Sequence, residues 1–112
     1  MKAALKTASA ALLLALLAGC GSGGERGATA IEGPEQAVKL YKQSCISCHG
    51  TDLKGRMGPD TDLHDVGARL SEPEIQRQIE QGGDSMPAFG ERLTADEIRV
   101  LSSWLSGLGK SE

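Results

Sequence analysis

Cys45, Cys48 and His49 lie within SCISCHG, in a chain of 112 residues with three cysteines and two histidines. Two thiols three positions apart, followed directly by an imidazole, fit C-x-x-C-H, the attachment pattern of a c-type haem. Each thiol can form a thioether with a haem vinyl group. The imidazole then falls beneath the iron, so one short segment supplies two covalent links and one axial ligand. Three rivals fit less well. A thioredoxin-like C-x-x-C needs a βαβ context, and none is legible. A structural zinc site needs four ligands, and only His64 could join Cys45, Cys48 and His49. A disulfide suits an oxidising compartment but gives His49 no role.

Iron held by His49 alone would be open to small ligands, whereas a second ligand closes it and makes an electron carrier. Met57, Met86 and His64 are the candidates. Met86 stands 37 residues after His49, in GGDSMPAFG. That length lets the chain pass around the edge of a macrocycle and return on its far face. Pro87 stiffens the loop and Phe89 can exclude water. A methionine is usually a flexible core filler, but a loop of Gly, Asp and Pro gives a filler little purpose. His64, between Asp62 and Asp65, reads as a solvated loop residue.

Three helices must position these groups. The first is PEQAVKLYKQSCISCH, residues 34–49, with Pro34 and Glu35 suited to its start. Ala37, Leu40, Tyr41 and Ser44 share one side of it. The second, SEPEIQRQIEQG, opens on a Ser71–Glu74 capping box and stops at Gly82. The third, TADEIRVLSSWLSGL, opens on a Thr94–Glu97 box and carries Ile98, Leu101 and Leu105 in one row, with Val100 and Trp104 beside it. Residues 50–70, dense in Gly, Pro and Asp, read as loop, and no alternation argues a sheet. Tyr41, Phe89, Trp104 and thin apolar stripes are a small core for about 75 residues, so a buried cofactor would supply the missing apolar area.

The N-terminus has its own signals. Lys2 and Lys6 precede an unbroken run of Ala, Leu and Ser from Ala8 to Ala18. At about 11 residues the run is too short to span a bilayer, which takes ~20, but suits a secretory signal. It ends in Leu17-Ala18-Gly19-Cys20, which resembles the lipobox of bacterial lipoproteins. Residues 1–19 are therefore expected to be a lipoprotein signal peptide, and Cys20 the acylated first residue of the mature chain, with palmitate among its expected chains. Two or more acyl chains give stable attachment where one does not. Residues 20–33, rich in Gly, read as a flexible linker with a reach of roughly 20 Å, and residues 34–112 as a single folded domain. Loss of Lys2 and Lys6 leaves 10 basic against 15 acidic residues, a net of about −5. Nucleic-acid binding needs clustered positive charge, so no nucleic-acid partner is expected.

Taken together, the chain resembles a class I, monohaem cytochrome c, and more narrowly the small lipid-anchored c-551/c-550 type of Gram-positive bacteria. The resemblance rests on Cys45–His49, the Gly58-Pro59 pair, the Met86-Pro87 pair and a last helix with Trp104. It implies an all-α cytochrome c fold of about three main helices around one covalent haem c. It implies iron ligation by His49 and Met86, with the Gly-Pro segment on the histidine side. There the Pro59 carbonyl would accept a bond from His49 Nδ1–H, which puts Met57 on the wrong face. It implies crossed first and last helices, with Ala37 and Tyr41 near Leu101 and Trp104. Leu63, Val66, Leu70, Ile75 and Ile79 are candidate pocket walls, or ordinary core. Arg69 is a candidate propionate partner, or a surface residue. The implied role is a non-enzymatic, monomeric electron carrier on the extracytoplasmic side of the cell membrane. It would pass electrons from a quinol–cytochrome c reductase to a terminal oxidase. Lys39, Lys42, Lys54 and Arg56 are candidate docking charges. The alternative is a haem-based sensor or small-ligand module with a replaceable Met86.

Overall fold

A computed structural model describes residues 30–110. The expected signal peptide, Cys20 and the linker through residue 29 lie outside the described residues.

Among the described residues the elements are α1 (Glu35–Ser44), α2 (Ile46–His49), a 3-10 turn (Pro59–Thr61), α3 (Val66–Arg69), α4 (Glu72–Gln81) and α5 (Ala95–Ser106). No strand is present among them, and the all-α expectation holds. The expected first helix is interrupted. Cys45, at φ −121° and ψ −25°, ends α1, and α2 forms one further turn that carries the motif. The loop expected over residues 50–70 contains two single-turn helices, too short for an apolar period to reveal.

Both capping boxes form. Ser71 accepts from the Glu74 backbone while the Glu74 side chain accepts from the Ser71 backbone, and Thr94 and Glu97 repeat the exchange. Each box satisfies two of the orphan amides at a helix start. The last helix is the spine, and α1, α3 and α4 all pack on it. The expected crossing of α1 and α5 is present. The rings of Tyr41 and Trp104 meet edge to face with centroids 5.6 Å apart, a favoured aromatic geometry. Ala37 and Ser102, both fully buried, are small enough to let helix backbones approach. The Ser102 hydroxyl donates back to the Ile98 carbonyl at 2.7 Å, so its burial leaves nothing unpaired.

The packed chain begins ahead of Pro34. Trp104 Nε1 donates to the Glu32 carbonyl at 3.1 Å. Gly33 lies flat on the indole, where a Cβ would stand 2.3 Å from Nε1. Glycine is required here by close approach rather than by dihedral angle.

Two stability measurements check this packing. Gly33→Val should cost about 1–3 kcal/mol through overpacking against Trp104, read as a lower denaturation midpoint. Thr94→Ala should cost about 1 kcal/mol by removing the cap of α5, whereas substitution at exposed Arg99, in mid-helix, should leave the midpoint nearly unchanged.

Candidate functional site

Local backbone bonds set the motif. The amides of Cys48 and His49 both reach the Cys45 carbonyl, at 3.3 and 3.0 Å, and Gly50 N–H reaches Ile46 at 2.9 Å. This single turn presents Cys45, Cys48 and His49 to one cavity. The Tyr41 hydroxyl donates to the Gly50 carbonyl at 2.6 Å and ties the end of the turn to α1. Burial, with a smaller contribution from neighbouring charge, holds the Tyr41 phenol above its ordinary range, so it stays a donor. The chain then folds back on the motif, with Gly55 N–H on the His49 carbonyl and Arg56 N–H on that of Cys48.

His49 Nδ1 lies 2.7 Å from the Thr61 carbonyl. A carbonyl can only accept, so Nδ1 carries the proton and Nε2 keeps its lone pair for a metal. The acceptor is not Pro59, which corrects the expectation drawn from the resemblance. Pro59 opens the 3-10 turn, and its carbonyl is taken by Asp62 N–H at 3.1 Å. The turn brings Thr61 to the ring instead. Thr61 also braces the segment with its hydroxyl, which donates to the Gly58 carbonyl at 2.7 Å and accepts from Met57 N–H at 3.2 Å.

Met86 reaches the same cavity from the opposite end of the sequence. After α4, Gly82 takes φ +65° and ψ −161°, a region essentially reserved for glycine. A Cβ there would stand 2.4 Å from the Met86 carbonyl. Gly83 and Met86 exchange backbone bonds in both directions, at 3.0 and 2.6 Å. Phe89 and Gly90 then bond back to the Ile79 and Glu80 carbonyls, which closes the loop on the end of α4.

The cavity measures about 900 Å³, near the upper end of small-molecule sites at roughly 300–1,000 Å³. Leu63, Val66, Leu70, Ile75 and Ile79, the five candidate walls, all line it. Of the eleven buried apolar residues among those described, seven face it: Tyr41, Val66, Ile75, Ile79, Phe89, Leu101 and Leu105. A largely apolar chamber of this size, lined by two thiols, an imidazole and a thioether, fits a haem held by C-x-x-C-H.

The remaining candidates separate clearly. Met57 borders the cavity, but it belongs to the histidine-side segment and is 62% exposed. His64 lies outside the cavity lining with its side chain 54% exposed, paired with Asp62 and Asp65, as its solvated reading requires. Arg69 lines the cavity, with Nε donating to Asp65 and Nη2 to the Asp62 carbonyl. Lys39, Lys42, Lys54 and Arg56 are exposed and none lines the chamber. Burial pushes the Cys45 thiol up to about 11, with Cys48 adding to the shift. Disulfide exchange depends on a reactive thiolate, and a half-buried Cys45 whose thiol is pushed up disfavours that form. Sequence reasoning missed Thr61 and Gln78, whose amide reaches the Met86 sulphur. Nothing distinguishes Gln78 from Gln76 or Gln81 in EPEIQRQIEQ.

Comparison with known proteins identifies the family. Residues 32–105 match the family model described as cytochrome c oxidase, cbb3-type, subunit III. The chain is 41% identical over 105 residues to cytochrome c-551 of Bacillus subtilis, covering 84% of this chain and 86% of that protein. It is 35% identical over 86 residues to cytochrome c-550 of the same organism, covering 76% of this chain and 68% of the relative. The fold is similar to that of cytochrome c6C from a Synechococcus species, with a TM-score of 0.57 and 21% identity over 64% of this chain and 92% of that one. With its haem motif on the wall of a matching chamber, the chain belongs to the class I cytochromes c, resembles the c-551/c-550 group within them, and binds covalent haem c.

Proposed function

We propose that the protein is a membrane-anchored carrier of single electrons, with Cys45 and Cys48 as thioether partners and His49 and Met86 as the two axial ligands. The observation that carries this reading is the convergence of a C-x-x-C-H turn and a braced methionine loop on one apolar chamber. Its cytochrome relatives support the general electron-transfer role.

Bound haem supplies an iron that alternates between two oxidation states. The chain supplies the conditions for doing so with little rearrangement. His49 is held by Thr61, whose carbonyl takes the Nδ1 proton, fixes the ring and leaves Nε2 as the nitrogen for the iron. Met86 is held by its paired backbone bonds with Gly83 and by the close approach at Gly82. A thioether ligand favours the reduced state relative to a second histidine. With His49 and Met86 both on the iron, no position would remain for substrate, which supports a carrier rather than an enzyme. Phe89, Leu101 and Leu105 keep water from the chamber wall.

Cys20 is the proposed lipid anchor, on the extracytoplasmic face of the cell membrane. A quinol–cytochrome c reductase and a terminal oxidase are the proposed donor and acceptor. The tether keeps a monomeric carrier close to both, and short-lived contacts of small area suit such exchange. The motif carrying Cys20 supports this part of the reading.

Two experiments test it. Met86→Ala in the haem-loaded protein should lower the reduction potential and allow carbon monoxide to bind the reduced form, while Met57→Ala changes neither. The converse would move the ligand to Met57, and ready carbon monoxide binding by the unaltered protein would favour the sensor reading. Cys20→Ser should shift the mature protein from the membrane to the soluble fraction of the host, and full retention on the membrane would contradict the lipid anchor.

A further inference from the structure

The chain enters the domain beside α1. Nine residues separate Cys20 from Ala30, the first of the described residues. Even fully extended, that stretch spans at most about 35 Å. Directly after it, Ile31 and Gly33 line a hollow of about 450 Å³ against α1, with Glu35, Val38, Lys39 and Lys42 among its other walls. Trp104 holds the Glu32 carbonyl between them, so the point where the chain meets the domain is fixed. The hollow is therefore among the surfaces nearest to whatever Cys20 is attached to.

Lys39 and Lys42 stand three residues apart and share one side of α1. Both are exposed, beside half-buried Ile31 and Val38. The ion pairs among the described residues use His64, Arg69 and Arg99, and neither lysine takes part. The one carboxylate on the hollow, Glu35, lies in the first turn of α1, where the positive end of the helix dipole offsets its charge. Charge is segregated along the chain as well. Between Gln36 and Pro59, Lys39, Lys42, Lys54 and Arg56 stand against Asp52 alone, whereas from Asp60 to Lys110 five cations stand against ten anions. A domain of negative net charge is repelled as a whole by a negative surface, and approaches one only by a basic face.

From this placement we infer that the Lys39–Lys42 side of α1 faces the membrane, with both ammonium groups against the anionic phosphates of lipid headgroups. The inference rests on Cys20 being the lipid anchor, as proposed above. Attraction of a cation to an anionic bilayer acts over about a Debye length, roughly 8 Å at physiological salt, and the short tether brings this face into that range. A lipid surface is favoured over an acidic protein because the hollow lies where the tether joins the domain. Gln43 borders both this hollow and the haem chamber, so the orientation sets how close the α1 edge of the chamber stands to the bilayer.

The test uses the haem-loaded, lipidated protein from its host, reconstituted on vesicles of phosphatidylcholine alone or of phosphatidylcholine with phosphatidylglycerol. Lysines are acylated briefly with a water-soluble ester, and modification at each is read by mass spectrometry. With phosphatidylglycerol, Lys39 and Lys42 should react at least about fivefold more slowly than on the neutral vesicles, the worth of one lysine at an anionic surface, while Lys54 and Lys110 change little. High salt should remove the difference, and Lys39→Gln should return Lys42 toward its rate on neutral vesicles. Equal rates on both kinds of vesicle overturn the inference. Protection that persists on neutral vesicles or in Lys39→Gln overturns it too, because the tether rather than lipid charge would then cover the hollow. Protection that appears only when membrane proteins of the host are added overturns it in favour of an acidic protein partner. Flotation scores the anchor separately. A chain that floats with neither kind of vesicle overturns the anchor and the inference with it, whereas one that floats with both at equal lysine rates overturns the orientation alone.

Discussion

The contact between an apolar chamber and the macrocycle bound to its wall governs the rest of this fold. Most of the buried apolar side chains among the described residues also line the chamber. The other buried apolar residues are Ala37 and Leu40 on α1 and Ile98 and Trp104 on α5. A domain this small has little interior to spare. Its stability and its electron-transfer chemistry therefore draw on the same contact, and the helices serve as walls before they serve as a core.

His49 and Met86 are held by different means. On the histidine side, backbone carbonyls do most of the work. Thr61 fixes the ring, Gly50 receives the Tyr41 hydroxyl, and the segment after the motif folds back on it. That side is a short stretch of chain bonded to itself, anchored to α1. On the methionine side, glycines permit a tight loop that returns to the end of α4, and one amide reaches the sulphur. If Met86 is the second ligand, as proposed, its flexible side chain would need such restraint for both oxidation states to keep the same geometry.

The sequence made some of this legible. Motif spacing carried Cys45, Cys48 and His49 because the chemistry demands those residues in that order. The capping boxes at Ser71 and Thr94 located the starts of α4 and α5, since a side chain and an amide three residues apart are a local pair. Met86 stood out because a loop of Gly, Asp and Pro is an odd place for a structural methionine. Contacts set by three-dimensional approach stayed hidden. The 3-10 turn that diverts the His49 bond from Pro59 to Thr61 is a single turn with no period to detect. Gly33 looked like the last residue of a linker, but it lies against an indole 71 positions away. Gln78 is one of three glutamines in its helix, and only the return of the loop singles it out.

The most direct measurement is a comparison of helical content and denaturant unfolding for the haem-loaded protein and a Cys45→Ala/Cys48→Ala double variant prepared without haem. If the macrocycle completes the core, the double variant should show little helix at neutral pH and no cooperative transition, while the loaded protein unfolds in one. A double variant that is compact and helical, and that unfolds cooperatively near the same denaturant concentration, would contradict the account.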